Sequence, residues 1–164
     1  MSVIDFIGNN NGTSVNMSST NIVEGINGKS CALTFNGSDE KITFGDVGTI
    51  RSLSFAIKPN STTEEIILLD SGKTITVSSG TITYTGITAT ATYVESKAST
   101  SLVADAWQTV VIVLSADVSA ETFELATDGS AFGAIALDSL TTYSSVLTGV
   151  EASDISIRIR RGDL

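Results

Sequence analysis

Thr74-Ile75-Thr76-Val77, then Ser78-Ser79-Gly80, then Thr81-Ile82-Thr83-Tyr84: two stretches of strict alternation meet at a short turn that contains glycine. A side-chain period of two sends neighbours to opposite faces of a strand, and Thr, Ile, Val and Tyr suit a pleated, half-buried surface. The segment therefore reads as a β-hairpin.

The same period recurs on both sides of it. Ala32-Leu33-Thr34-Phe35 and Lys41-Ile42-Thr43-Phe44 flank Asn36-Gly37-Ser38-Asp39, whose residues favour reversal as a hairpin or a corner. Leu53, Phe55 and Ile57 share one face of a strand closed by the turn Lys58-Pro59-Asn60. Ile66-Ile67-Leu68-Leu69 is too short for a buried helix and reads as a strand buried on two faces, as does Val110-Val111-Ile112-Val113-Leu114 after Trp107. Residues 86–106 read as weak strands and loops. Thr122-Phe123-Glu124-Leu125, the turn Asp128-Gly129 and the segment 132–137 read as a second hairpin. Ile155, Ile157 and Ile159 alternate with Ser156, Arg158 and Arg160 and read as the last strand, with no helical spacing recognised anywhere. Roughly ten to twelve strands at such intervals predict an all-β, two-sheet antiparallel sandwich. Its core is expected to hold Leu33, Phe35, Phe55, Ile57, Val111, Val113, Phe123, Leu125, Ile155, Ile157 and Ile159.

Length fits one domain over residues 1–164. Nine Lys and Arg against 18 Asp and Glu leave a net charge of −9, which argues against nucleic acid as a partner. The absence of His removes imidazole-based catalysis and the usual zinc sites. No apolar run approaches the roughly 18 residues of a membrane span, so no membrane insertion is expected. Ser and Thr number about 45, against five Lys. The start at Met1-Ser2-Val3 carries no secretory signal pattern, which leads to the expectation of a chain that assembles inside a cell.

Four pieces in order carry a family resemblance. Asp5 with Gly8-Asn9-Asn10-Asn11-Gly12-Thr13 is followed by Gly28-Lys29-Ser30-Cys31-Ala32-Leu33-Thr34-Phe35-Asn36-Gly37-Ser38-Asp39-Glu40-Lys41-Ile42. Leu53-Ser54-Phe55-Ala56-Ile57-Lys58-Pro59 comes next, then Trp107-Gln108-Thr109-Val110-Val111 with Asp128-Gly129. Together they resemble the laminin-G-like, concanavalin A-like jelly-roll domains of bacterial and bacteriophage proteins, across nearly the whole chain. Two positions depart from the family pattern: Ala56 stands where a Trp is usual and Gln108-Thr109 where a His pair is common. The resemblance implies a jelly-roll fold and a binding function.

Each candidate site residue carries an ordinary reading beside its functional one. Trp107, with Tyr84 and Tyr93, is a candidate sugar platform or a packing ring. Asp5, Asn9, Asn10 and Asn11, joined in space by Asp39 or Asp154, offer hard oxygen ligands for calcium or simply form loops; no other cofactor is implied. Arg158 and Arg160 make a cationic stripe that pairs within the chain or with a partner subunit. Arg161-Gly162-Asp163 is a short match read as chance. Cys31 reads as a buried thiol, and Asp39-Glu40 and Glu64-Glu65 as solvated turns that cannot flank one bond.

These features lead to a non-enzymatic structural or binding module. The expected setting is a bacteriophage virion, as a head-decoration or tail-associated protein, contacting other particle proteins, itself or surface glycans. The alternative is a secreted or cell-surface carbohydrate-binding lectin module.

Overall fold

The computed structural model describes residues 2–3 and 11–163. Its strands are β1 (Ser2–Val3), β2 (Gly12–Val15), β3 (Ile22–Glu24), β4 (Cys31–Thr34), β5 (Lys41–Gly45), β6 (Thr49–Pro59) and β7 (Glu64–Asp70). They continue with β8 (Lys73–Ser78), β9 (Thr81–Thr85), β10 (Ala89–Val94), β11 (Lys97–Ala98), β12 (Gln108–Ser119), β13 (Phe123–Leu125) and β14 (Ile135–Tyr143), and one helix follows, α1 (Gly149–Arg161). The strands form two seven-stranded antiparallel sheets: β1-β2-β5-β13-β7-β8-β9, the first sheet, and β11-β10-β12-β6-β14-β4-β3, the second.

The hairpin that decides the class forms as read. Ser78 pairs with Thr81, and the two turn residues Ser79 and Gly80 both have positive φ, 51° and 76°, matching the twist of the strands they join. Asn36-Gly37-Ser38-Asp39 makes a corner, carrying the chain from β4 in the second sheet to β5 in the first. Asn36 is its hub: its Oδ1 accepts from Ser38 N at 2.8 Å and Asp39 N at 3.2 Å. Gly37 has φ 73°, and a Cβ there would lie 2.8 Å from the Ala134 side chain, so both shape and space require glycine. Asp128-Gly129 also turns the chain, through a Thr127–Phe132 bridge. The expected hairpin does not follow, because β14 leaves β13 for the other sheet.

Between the sheets lies the main core, which includes Phe35, Phe55, Ile57, Ile112, Leu114, Phe123 and Leu125. Phe44 meets Phe123 edge to face at 5.7 Å. Leu33 packs at its border, half buried.

The last expected strand is a helix. Ala152, Ile155, Ser156 and Ile159 are buried along α1, spaced as one helical face, while Ile157 is 44% exposed. Thr148 caps the start in a reciprocal box with Glu151, and Gly162 closes the end at φ 77°. Arg158, Arg160 and Arg161 fall in the last turn, where cations suit the helix dipole. The alternation of three Ile residues was compatible with a strand, but the capping residues decide for helix. Two other expectations also change. Cys31 is exposed, opposite Glu24 in the outermost strand pair of its sheet. Glu64 is buried rather than solvated, and its Oε2 accepts from Ala134 N at 2.7 Å.

Α1 lies on the outer face of the second sheet. There Ala56, Val111 and Val113 pack with Leu147, Ala152, Ile155 and Ile159 in a second apolar cluster. Ser52 and Ser54 share this region, and Ser52 Oγ donates to Ser145 O at 2.8 Å and accepts from Leu147 N at 3.2 Å, seating the segment that leads into the helix.

Two stability outcomes follow. Phe55→Ala, at a fully buried ring, is expected to lower unfolding free energy by about 3–5 kcal/mol in denaturant titration. Burial first, then the charges of Asp128 and Glu64, push the Glu65 carboxyl above its ordinary value, and its Oε2 has no hydrogen-bond partner. The ionised form is thus disfavoured in the folded chain, a penalty present above the raised pKa and lost as pH falls towards the ordinary Glu value. Glu65→Gln should therefore raise the melting temperature at pH 7, with the gain shrinking in acid.

Candidate functional site

The cover over the second sheet ends before the sheet does. Trp107 directly precedes Gln108, which pairs with Ile57; Lys58 pairs with Ala136, and Ala136 with Thr34. Trp107, Lys58, Ala136 and Thr34 therefore form one transverse row on the outer face. The next row inward is covered: Ala56 lies under α1, and Asp138 lies under the loop that joins β3 to β4. Asp138 Oδ2 fastens that loop by accepting from Ile26 N at 3.1 Å and Ser30 Oγ at 2.6 Å.

The uncovered row is the floor of an open groove of about 510 Å³. Val23 and Glu24 of β3 wall one end, Asp105 and Trp107 the other, and Asn36, Asn60 and Ala134 line a side. Ala136 is small, which keeps the floor low between Lys58 and Thr34. Lys58 is exposed, and its ammonium has no ion pair among the described residues.

The Trp107 end is held from two directions. Gln108, buried, accepts from Val103 N at 3.1 Å and donates to Val103 O at 2.9 Å, fixing the loop before it. Asp105 N in turn donates to Pro59 O at 2.8 Å, and Asp105 sits in the left-handed region at φ 58°. From the other side Glu95 Oε1 accepts from Thr109 N at 2.6 Å, while Glu95 Oε2 takes the guanidinium of Arg160. The same guanidinium reaches the Trp107 carbonyl at 3.5 Å. The end of α1 is thereby tied to the wall of the groove.

The other expected residues fall elsewhere. Tyr84 is half buried; its hydroxyl meets Thr92 Oγ1 at 2.5 Å and joins the two sheets at one edge, with burial pushing the phenol pKa up. Tyr93 packs with Trp107 against the cluster under α1. Asp39 is engaged inside its corner, accepting from Asn36 Nδ2 at 2.8 Å and Asn16 Nδ2 at 3.1 Å. Asp5, Asn9 and Asn10 lie outside the described residues, and Asn11 is exposed just before β2. Asp154 stands on the exposed side of α1, far along the chain from that corner in a different element. Arg158 and Arg160 are on a helix, not a strand; Arg160 is paired within the chain, and Arg158 is exposed beside Asp163 O. Sequence reading thus reached Trp107 but passed over Lys58, Asn60, Asp105 and Glu24. Lys58 and Asn60 looked like an ordinary strand-ending turn, and Glu24 enters only through the pairing of β3 with β4.

No family model matches the chain, and no curated protein matches it. Solved structures do. A crystal structure of a tryptophan-to-alanine mutant of HCR/D, a botulinum domain, is similar with a TM-score of 0.56 and 14% identity, over 95% of this chain and 50% of that one. The chain spans half the length of that structure, and the likeness shows a shared β-sandwich fold, jelly-roll-like in form.

Because the chain has a single Trp, its fluorescence reports this groove directly. Arg160→Ala is expected to shift Trp107 emission to the red and to increase quenching by acrylamide, with the far-UV spectrum unchanged. Unaltered emission would show that the Gln108 loop alone holds the ring.

Proposed function

We propose that this chain is a non-enzymatic binding module of the laminin-G-like, concanavalin A-like kind, borne on the surface of an assembled particle such as a bacteriophage virion, where it contacts surface glycans through the Trp107 groove. The observation that carries the reading is the composition of that groove. It offers an aromatic ring at one end and a set of polar side chains, Lys58, Asn60, Asp105 and Thr34, with no hydrogen-bond partner among the described residues for their terminal groups. Rings give stacking surface to the apolar faces of sugars, and fixed polar groups read hydroxyls.

Binding without hydrolysis is supported by where the carboxylates stand. Glu24 is on β3, and Asp105 is attached to the end of β6, three strand steps away. Three steps set the two backbones about 14 Å apart, so the roughly 5 to 9.5 Å between the paired carboxyls of glycosidases would require both side chains to reach towards each other. Glu24 Oε1 instead lies 3.0 Å from where a Cβ of Gly28 would be. The particle setting draws on composition: with 16% charged residues, broad neutral surface is available for close apposition between subunits.

The secreted or surface lectin is the second reading, and the same groove serves it. A glycan array with the purified chain tests the shared part, and co-purification with particles tests the setting. Trp107→Ala should abolish glycan binding with the far-UV spectrum unchanged, at some cost in stability because the ring also packs against the cluster under α1. Glycan binding that survives this change would remove the groove from the proposal, and reducing-sugar release that depends on Asp105 or Glu24 would replace binding with catalysis.

A further inference from the structure

Resting on the reading of the groove as a glycan site, we infer that its ligand is an acidic oligosaccharide, one ring stacked on Trp107 and a uronate-type carboxylate received by Lys58. Trp107 stands just before β12, whose first residue Gln108 pairs with Ile57, so continuing that register by one residue sets Trp107 beside Lys58. Opposed positions in a sheet place their Cβ atoms about 4.5–5.5 Å apart, and Trp107 is one residue beyond the last such pair. A sugar lying flat on the indole therefore projects an exocyclic carboxylate over Lys58, whereas a charged group at a remote position would miss it.

The state of Lys58 adds weight. In a chain with twice as many acidic as basic residues, Lys41, Arg51, Lys73 and Arg160 are each in ion pairs. Lys58, like Lys29, Lys97, Arg158 and Arg161, is in no ion pair among the described residues, and it alone of these lines the groove, together with Glu24 and Asp105. Glu24 is three strand steps away, and Asp105, tied to Pro59 next to Lys58, makes no ion pair with its ammonium. The cation is left available for an anion from outside. Asp105 and Asn60, beside it, supply an acceptor and an amide for sugar hydroxyls. The row from Trp107 to Thr34 crosses four strands, about 14 Å, so it takes a short oligosaccharide rather than one ring.

The test compares sugars of one shape that differ in charge. Trimers of galacturonate, glucuronate and mannuronate, each as free acid and as methyl ester, are titrated against the purified chain with Trp107 fluorescence as readout. At least one acid is expected to bind about tenfold or more tightly than its ester, as a charge-assisted hydrogen bond provides. Lys58→Met should bring acid and ester together, and Lys58→Arg should keep them apart. Lys58 is exposed, so far-UV spectra and melting curves of both variants should match the parent. Ester bound as well as acid, or a preference that survives Lys58→Met, overturns the acidic ligand and leaves the groove as a neutral-sugar site. No change in Trp107 emission with any trimer, alongside a glycan array that is blank or indifferent to Trp107→Ala, defeats both readings.

Discussion

Strand β12 carries Val110 to Leu114 without a polar break, so alternate members of that run must be buried on opposite faces of one sheet. An antiparallel sheet that meets its partner on one side leaves such a strand half uncovered. Here the first sheet takes Val110, Ile112 and Leu114, and the helix takes Val111 and Val113. Ala56 lies beneath the helix with Ser52 and Ser54 beside it in β6, and their small size lets the helix lie close. The helix is therefore what allows a doubly apolar strand to sit in a two-layer fold. Its length then fixes the site, because the cover of α1 and the β3–β4 loop stops one row short of the end of the sheet. The groove is the part of that face which needs no cover, since Lys58 and Thr34 replace Val and Ala there.

The same interaction links stability to geometry at the site. Arg160 in the last turn of α1 binds Glu95, Glu95 binds the backbone of Thr109, and Trp107 lies two residues before it. Glu95 and Ser96 both have positive φ, so this tie sits on a tight two-residue turn between β10 and β11. Gln108 supplies the matching restraint on the opposite side. The backbone that carries Trp107 is thus held from both sides.

Legibility in the sequence followed the range of the interactions involved. Thr74 to Tyr84 and Asn36 to Asp39 were readable because their turns are specified by adjacent residues, and the doubly buried run after Trp107 was readable from its unbroken apolar character. The partner of that run was not. A run buried on both faces asks for a second cover, and Thr148 with Glu151, followed by the buried spacing of Ala152, Ile155 and Ile159 and by Gly162, spelled a capped helix. The evenly spaced isoleucines satisfied a period of two as well, and of the three Ile157 tells the two apart by its exposure, alongside the caps. The crossing from β13 to β14 was hidden because Asp128-Gly129 dictates a reversal but not which sheet receives the returning strand.

The groove itself was legible only in part, for a reason that bears on how such sites are found. Trp107 announces itself by size, but Lys58 gains meaning from Ala136 and Thr34, residues distant in sequence that become its neighbours through register alone. A one-residue slip of β14 against β6 would turn Lys58's neighbour from Ala136 to a core residue such as Ile135 or Leu137 and close the floor. Register is fixed by burial of Ile135 and Leu137 on the inner face, so the core that holds the sandwich together also sets which small side chain lies beside the lysine. The make-up of the groove is set by strand alignment, and substitutions in the core that shift β14 would alter it without touching any residue that lines it.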